Sequence, residues 1–339
     1  MQCEKLNVKD VDRIIASKKD TKIYSSYIKL KESGYDFIHI KDRRYPERLR
    51  NIYDYPIALY FKGKNFDNGK PSVAIVGARN CSEYGRRVAY SLSYEFSKMG
   101  ISVISGMAAG IDAAGHKGCI DGGGDTYAVL GCGADICYPR GNIELYMRIP
   151  ENGAVISEYA MNTPPRAGQF PMRNRIISAL SDVIIVVEAR KKSGSLITVD
   201  QALEQNREVM VVPGRIGDSL SEGCNNLIKM GAQVITCADD ILDNSIIQNI
   251  LKNKKPENAG EMGTNPGENT GYCKKNSGFG LASEKKLLYS CFNLYPKSLD
   301  QASIESGLDI VAANKTALEL QLDGLIKEVS KNCYIVNDI

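Results

Sequence analysis

Seven short, nearly uninterrupted apolar runs between residues 73 and 236 constrain this chain more than any other feature. They are Val73–Val76, Ile101–Ile104, Tyr127–Leu130, Ala154–Ile156, Val183–Val187, Val209–Val212 and Gln233–Thr236. A strand with one wet face alternates apolar and polar residues, whereas a continuous run is buried on both faces. Between most of the runs lie segments with helical spacing, at Tyr84–Met99, Ile111–Ile120, Asn174–Leu180 and Leu196–Gln205. Strand–helix alternation of this kind predicts an α/β fold with a doubly wound, mostly parallel sheet.

The flanks read differently. Residues 1–64 are expected to be mostly helical, from apolar spacing at Leu6, Val11, Ile14 and Ile15, then Ile23, Tyr27, Ile28 and Leu30. Residues 252–280 open with Lys252-Asn253-Lys254-Lys255-Pro256 and continue rich in Gly and Asn. Almost nothing there can be buried, so a flexible linker is expected. Residues 281–339 show helix patterns at Ser283–Phe292, Leu299–Ser306 and Val311–Leu322, then a hairpin pattern around Leu325-Ile326 and Tyr334-Ile335-Val336. Three helices and a wing in so short a stretch suit a winged-helix domain.

Composition excludes several classes. No apolar run reaches the ~18–20 residues of a membrane span. The polar start Met1-Gln2-Cys3-Glu4-Lys5 has no signal-peptide pattern, so a cytoplasmic protein is expected. Cys81, Cys119, Cys132, Cys137, Cys224 and Cys237 are scattered without a C-x-x-C, which argues against a metal site and for small buried thiols. Net charge is +3. It is uneven: residues 1–64 carry +6 and residues 65–251 carry −3. Any polyanion site in the central region must therefore come from local clustering.

Such clusters occur where strand runs end. The first run leads into Gly77-Ala78-Arg79 with Ser82 near the next helix, and the second into Ser105-Gly106 with Asp112 on the following helix. Later come Tyr138-Pro139-Arg140, Phe170-Pro171-Met172-Arg173-Asn174-Arg175 and Arg190-Lys191-Lys192-Ser193-Gly194. In open parallel sheets the loops at the carboxyl ends of the strands share one face and converge on ligand. Glycines allow close backbone approach, helix N-termini offer free N–H groups, and Arg forks onto two phosphate oxygens. The candidate binding set is Gly77, Arg79, Ser82, Ser105, Gly106, Arg140, Phe170, Arg173, Asn174, Arg175, Lys192, Ser193 and Gly194. A bland reading stands beside it. Arg173 and Arg175 could pin their loop to carboxylates such as Glu158 or Glu188, Lys192 could belong to a solvated charge run, and Phe170 could plug the core or stack on a base.

No P-loop is present, and Ser105-Gly106 stands where a nicotinamide site wants an acidic residue. With no nucleophile–base pair or metal cluster in view, the chain reads as a binding protein without cofactor rather than an enzyme.

The motifs together resemble the DNA-processing protein A family (DprA/Smf). They are Gly77-Ala78-Arg79-x-x-Ser82-x-Tyr84-Gly85, Ser105-Gly106-x-Ala108-x-Gly110-Ile111-Asp112-x-x-x-His116, Tyr138-Pro139-x-x-Asn142, Ser157-Glu158-Tyr159, Phe170-Pro171-x-Arg173-Asn174-Arg175, Ser193-Gly194-Ser195-Leu196-Ile197-Thr198 and Val212-Pro213-Gly214. The resemblance runs in order over about residues 45–240. It implies a Rossmann-like domain at 65–251 that binds single-stranded DNA, protects it during natural transformation, loads RecA recombinase and works as a homodimer. It also implies a SAM-like helical domain at 1–64, the linker at 252–280 and a winged helix at 281–339. Family DNA contacts map onto Arg79, with Arg140, Phe170 and the Arg173–Arg175 loop nearby. Dimer and RecA surfaces map near Asn225–Ile228 and on to Val234. Two departures are Ala109, where the family often has Arg, and Gly115, where it often has Ala. The winged-helix unit is net −2, and a duplex-reading helix should be basic, so this module is expected to contact protein rather than duplex. The rival reading is a Rossmann-type nucleotide monophosphate phosphoribohydrolase. It lacks its Pro-Gly-Gly-x-Gly-Thr loop here, although Glu204 follows on the helix. A duplex-binding regulator acting through the winged helix is a third.

Overall fold

The computed structural model describes residues 21–252, 283–292 and 296–337. The expected helix around Leu6–Ile15 and the expected linker from residue 253 onward lie outside the described residues. The chain divides into two compact units near residue 259.

Nine strands form one sheet in the larger unit: β1 (Asp36–His39), β2 (Ala58–Gly63), β3 (Ser72–Val76), β4 (Ser102–Ser105), β5 (Thr126–Leu130), β6 (Ala154–Ser157), β7 (Val183–Val186), β8 (Glu208–Val211) and β9 (Gln233–Val234). Their order is β1-β2-β6-β5-β4-β3-β7-β8-β9. Strands β3 to β9 pair in parallel, and β1 and β2 add an antiparallel edge beside β6. Each of the seven apolar runs becomes a strand, with ends within two residues of expectation. The Rossmann-like α/β architecture follows, with helices α1 (Thr21–Glu32), α2 (Glu47–Arg50), α3 (Glu83–Lys98), α4 (Ile111–Asp121), α5 (Ile143–Asn152), α6 (Gln169–Leu180), α7 (Gly194–Glu204), α8 (Glu222–Lys229) and α9 (Ser245–Lys252).

Strand β3 shows why the runs are continuous. Val73 and Ile75 pack with Leu92 and Phe96 of α3 on one face. Ala74 and Val76 pack with Ile176 and Ile177 of α6 on the other. From β3 the chain lays β4, β5 and β6 to one side, then returns to lay β7, β8 and β9 on the other. The winding therefore reverses between β3 and β7, and a crevice opens outside their carboxyl ends at such a point. At the opposite ends of these strands, Asp182 accepts from the Ser72 N–H (2.9 Å) and pairs with Arg48 (2.9 Å). That buried contact fixes the register of β3 against β7 far from the crevice.

Two local expectations are corrected. Residues 36–63 are not helical throughout, because β1 and β2 join the main sheet there. In β2 only Leu59 and Phe61 turn inward, the alternation of a strand with one covered face. Helix α6 begins at Gln169, five residues before the expected Asn174. Pro171 is tolerated in this first turn, where its missing N–H has no partner to lose. As a result Phe170, Arg173 and Asn174 share one helix face, at spacings of three and four.

The smaller unit holds α10 (Ser283–Cys291), β10 (Lys297–Ser298), α11 (Leu299–Ser306), α12 (Ile310–Leu322), β11 (Ile326–Ser330) and β12 (Cys333–Val336). Its sheet order is β10-β12-β11, and Leu288, Phe292, Leu299, Leu320, Ile326 and Tyr334 form its core. Asp309 caps α12 by accepting from the Val311 and Ala312 N–H groups. Among the described residues no helix is long and apolar enough to cross a membrane.

Candidate nucleic-acid interface

The loop after β3 carries Arg79, and Glu188, just past β7, holds that loop from both sides. The Glu188 carbonyl accepts from the Ala78 N–H (2.8 Å). The Glu188 carboxylate accepts from the Ser82 N–H (2.9 Å) and from the Ser82 hydroxyl. Ser82 in turn caps α3 by accepting from the Gly85 N–H (3.0 Å). The positive end of α3 is thus satisfied by an internal carboxylate that is itself buried. The sequence marks this helix start as open to a phosphate, and the fold closes it.

Arg173 is committed to the framework as well. It is buried, and its Nη1 donates to the carbonyls of Gly106 (2.6 Å) and Val129. Burial pulls its pKa down to about 10, with the nearby Asp112 carboxylate acting in the opposite direction. Asp112, also buried, accepts from the Gly106 (3.1 Å) and Ala108 (3.3 Å) N–H groups, and burial raises its pKa. Gly106 is glycine for a steric reason: a Cβ there would lie 2.5 Å from the Arg173 guanidinium. Arg175 turns the other way. Its Nη2 donates to both oxygens of Glu158 (2.8 and 2.6 Å), and Nε lies 3.0 Å from Asp54. Of the two carboxylates offered by the sequence, Glu158 is the partner of Arg175, whereas Glu188 serves Ser82. Ser105 is buried and donates to the Ile75 carbonyl (2.5 Å). Ser82, Ser105, Gly106 and Arg175 therefore build the loops and do not line the crevice.

The crevice at the β3/β7 switch has a volume of about 700 Å³. Its wall includes Gly77, Arg79, Asn80, Tyr138, Phe170, Arg173, Asn174, Arg190, Lys192, Ser193, Gly194 and Ser195. The exposed Arg79 guanidinium lies 5.4 Å from the Phe170 ring centroid, and the Tyr138 ring lies 5.5 Å from the same ring at a tilt of 33°. A cation and two aromatic rings thus form one continuous surface. Phe170 is held by Gly131, where a Cβ would come within 2.9 Å of its ring. Across the crevice, the Ser193 hydroxyl accepts from the Ser195 N–H (3.4 Å) at the start of α7. Nothing lies within 4 Å of the position a Gly194 Cβ would take, so this helix start is open. Lys192 and Arg190 are exposed beside it. The arrangement suits phosphate oxygens at Arg79 and at α7, with flat apolar groups on the rings between them.

Arg140 is exposed in the short turn Arg140–Asn142 and lies outside the crevice wall. Asn142 anchors that turn by donating to the Met107 carbonyl (2.9 Å). Tyr138 is a wall residue that the sequence pattern does not single out. Its mark in the sequence is an aromatic in a loop at a strand's carboxyl end, two residues before Arg140. Glu188, expected as a partner for arginine, accepts from Ser82 instead. His116 is buried with Nδ1 2.7 Å from the Thr126 hydroxyl, and burial lowers its pKa to about 3, so it sits neutral in the core.

Comparison with known proteins places this geometry. The family model for DNA recombination-mediator protein A matches residues 36–245. DNA processing protein DprA of Bacillus subtilis is 40% identical over 241 residues, covering 68% of this chain and 81% of that protein. The Streptococcus pneumoniae protein is 43% identical over 208 residues, covering 60% of this chain and 72% of its own length. Its crystal structure superposes with a TM-score of 0.62 at 38% identity, over 67% of this chain and 78% of that one. DNA processing protein A of Helicobacter pylori, solved for its single-stranded DNA binding mode, superposes with a TM-score of 0.56 at 30% identity, over 65% and 96% of the two chains. The matched region contains the whole crevice and the strands that shape it, and the chain belongs to the DNA recombination-mediator protein A family.

Proposed function

We propose that this protein binds single-stranded DNA along the β3/β7 crevice and hands it to a RecA-type recombinase during natural transformation or recombination. The observation that carries the reading is the Arg79–Phe170–Tyr138 surface facing the open start of α7. A duplex has its bases stacked inward and offers nothing to the two rings, whereas a single strand offers both phosphates and free base faces. The Helicobacter pylori relative, with its single-stranded DNA binding mode, supports the same polymer here. Arg79, Lys192, Ser193, Gly194 and Asn174 are the proposed contacts, with Phe170 and Tyr138 as the stacking surface. Arg173 and Arg175 are proposed to act by shaping the site.

The homodimer is proposed to form at the β9 edge. Leu203 and Met230 are exposed there beside a groove of about 470 Å³ that Val209 and Leu227 also line. The smaller unit is read as a winged helix. Its third helix turns Val311, Leu318 and Leu322 to solvent, which suits a protein partner better than a duplex groove. The phosphoribohydrolase reading gains nothing from the site: Glu188 fills the α3 start, and Glu204 lies outside the crevice wall.

The test is a titration of oligo-dT against salt. Arg79→Glu is expected to lower affinity by more than about tenfold at moderate salt, because it reverses a charge facing phosphate. Its thermal melt should match wild type, since Arg79 is exposed. Unchanged binding by the folded variant refutes the site.

A further inference from the structure

The most unusual charge at the crevice is an acidic one. A phosphate-binding trough gains nothing electrostatically from a carboxylate beside it, yet Glu188 sits next to the switch point, buried and shared between the two loops that make the walls. It lies two residues beyond the end of β7 and precedes Arg190 by two residues. It contacts the Arg79 loop at Ala78 through its carbonyl and at Ser82 through its carboxylate. Arg79 lies between those two anchors. Gly85, in the first turn of α3, leaves the space that Glu188 fills: an added Cβ there would collide with all three terminal atoms of Glu188.

We propose that Glu188 is the positioning residue for DNA binding: a built-in anion that occupies the start of α3, clamps the Arg79 loop to the β7 loop, and so holds the Arg79 guanidinium over Phe170. Two consequences follow. The α3 start, which in this type of sheet is the natural seat for a nucleotide phosphate, is closed to small nucleotides. Phosphate recognition is displaced outward to Arg79 and the α7 start, where a polymer can run through without ending.

The sign of the effect separates this role from simple electrostatics. If Glu188 acted only through its charge, removing it would strengthen binding of a polyanion. If it acts as a clamp, removing it frees the Arg79 loop and weakens binding. The inference rests on the single-strand reading, and the experiment keeps the two apart. Oligo-dT affinity of the full chain is measured by fluorescence anisotropy at several salt concentrations for wild type, Glu188→Ala, Arg79→Ala and the double variant. Failure of wild type to bind oligo-dT refutes the functional reading. Wild-type binding with Glu188→Ala equal or tighter refutes the clamp.

The clamp predicts roughly tenfold weaker binding for Glu188→Ala and a salt slope reduced by the same amount as in Arg79→Ala. The double variant is expected to bind no more weakly than Arg79→Ala alone, because the two residues act through one contact. Additive losses overturn the proposal. Sodium formate should restore Glu188→Ala, compared with sodium chloride at equal ionic strength, and leave Arg79→Ala unchanged. A merely destabilised fold would show neither the slope change nor the formate rescue. Gly85→Ala gives a second route should Glu188→Ala fold poorly. Alanine is the better helix former, and the group its Cβ displaces is the carboxylate end of Glu188. This variant should melt below wild type, because it displaces the buried Glu188 carboxylate from Ser82, and should lose DNA affinity while still folded; unaltered affinity refutes the clamp.

Discussion

Two helices start on either side of the β3/β7 switch, and they use the same backbone chemistry in opposite ways. Helix α3 begins at Ser82 under the carboxylate of Glu188, which takes up the Ser82 N–H while the Ser82 hydroxyl takes up the Gly85 N–H. Helix α7 begins at Ser193, with open space above Gly194 and three exposed cations just upstream. The first is a structural joint and the second an available anion site. A helix start is therefore no more than a capacity, and what the neighbouring strand folds over it decides its use. The arginines repeat the contrast. Arg79 lies in the open over an aromatic ring, while Arg173 spends its donors on the carbonyls of Gly106 and Val129.

The largest test of that contrast is Arg173→Ala. It strands two carbonyls, leaves a cavity and removes the cation nearest the buried Asp112. Loss of a buried, hydrogen-bonded charge of this kind costs about 3–5 kcal/mol. In a unit of this size the melting temperature should fall by about 10 °C. Arg79→Ala should leave the melt where it was, within about 0.5 kcal/mol. Equal melts for the two variants would erase the distinction between framework and contact arginines.

The sheet was legible because burial on both faces leaves a compositional mark. Runs such as Val183–Val187 can hardly be anything else once helical segments flank them. The edge was not. β2 covers one face only, and in so short a strand Leu59 and Phe61 give two points of a period that helical spacing nearby obscures. The site was legible as a set of residue types at strand ends, and the crevice does gather Gly77, Arg79, Phe170, Asn174, Lys192, Ser193 and Gly194. The sequence could not say which way each cation faces. Arg173 and Arg175 are two residues apart on one helix, so about 200° of rotation separates them. One reaches the carbonyls under the crevice and the other reaches Glu158 and Asp54. Nor could it show that Glu188, some hundred positions from Ser82, returns to cap it.

The contrast between the two helix starts can be broken by copying the plug across. Gly194→Glu places a carboxylate at the first position of α7. Stability should rise slightly, by about 0.5–1 kcal/mol, because glycine is a poor helix residue and an acidic group favours a first turn. Oligo-dT affinity should fall roughly five- to tenfold, because the new charge faces phosphate. Stability and binding thus move in opposite directions. Affinity equal to wild type would mean that α7 is as unused as α3.

The smallest effect belongs to Lys192, one exposed cation at the open start. A lysine meets phosphate as a point charge without the fork of arginine, and its long side chain is held by nothing in the framework. Lys192→Ala should weaken oligo-dT binding by about two- to threefold near physiological salt and lower the log–log salt slope by about 0.7, the share of one phosphate in a single strand. Lys191, its equally exposed neighbour, lies outside the crevice wall and serves as the control. Lys191→Ala removes the same charge from nearly the same place. If the two variants lose affinity equally, the α7 side attracts DNA only by general charge, and direct phosphate contact there is refuted; if Lys192→Ala alone changes the slope, a phosphate sits at that helix start.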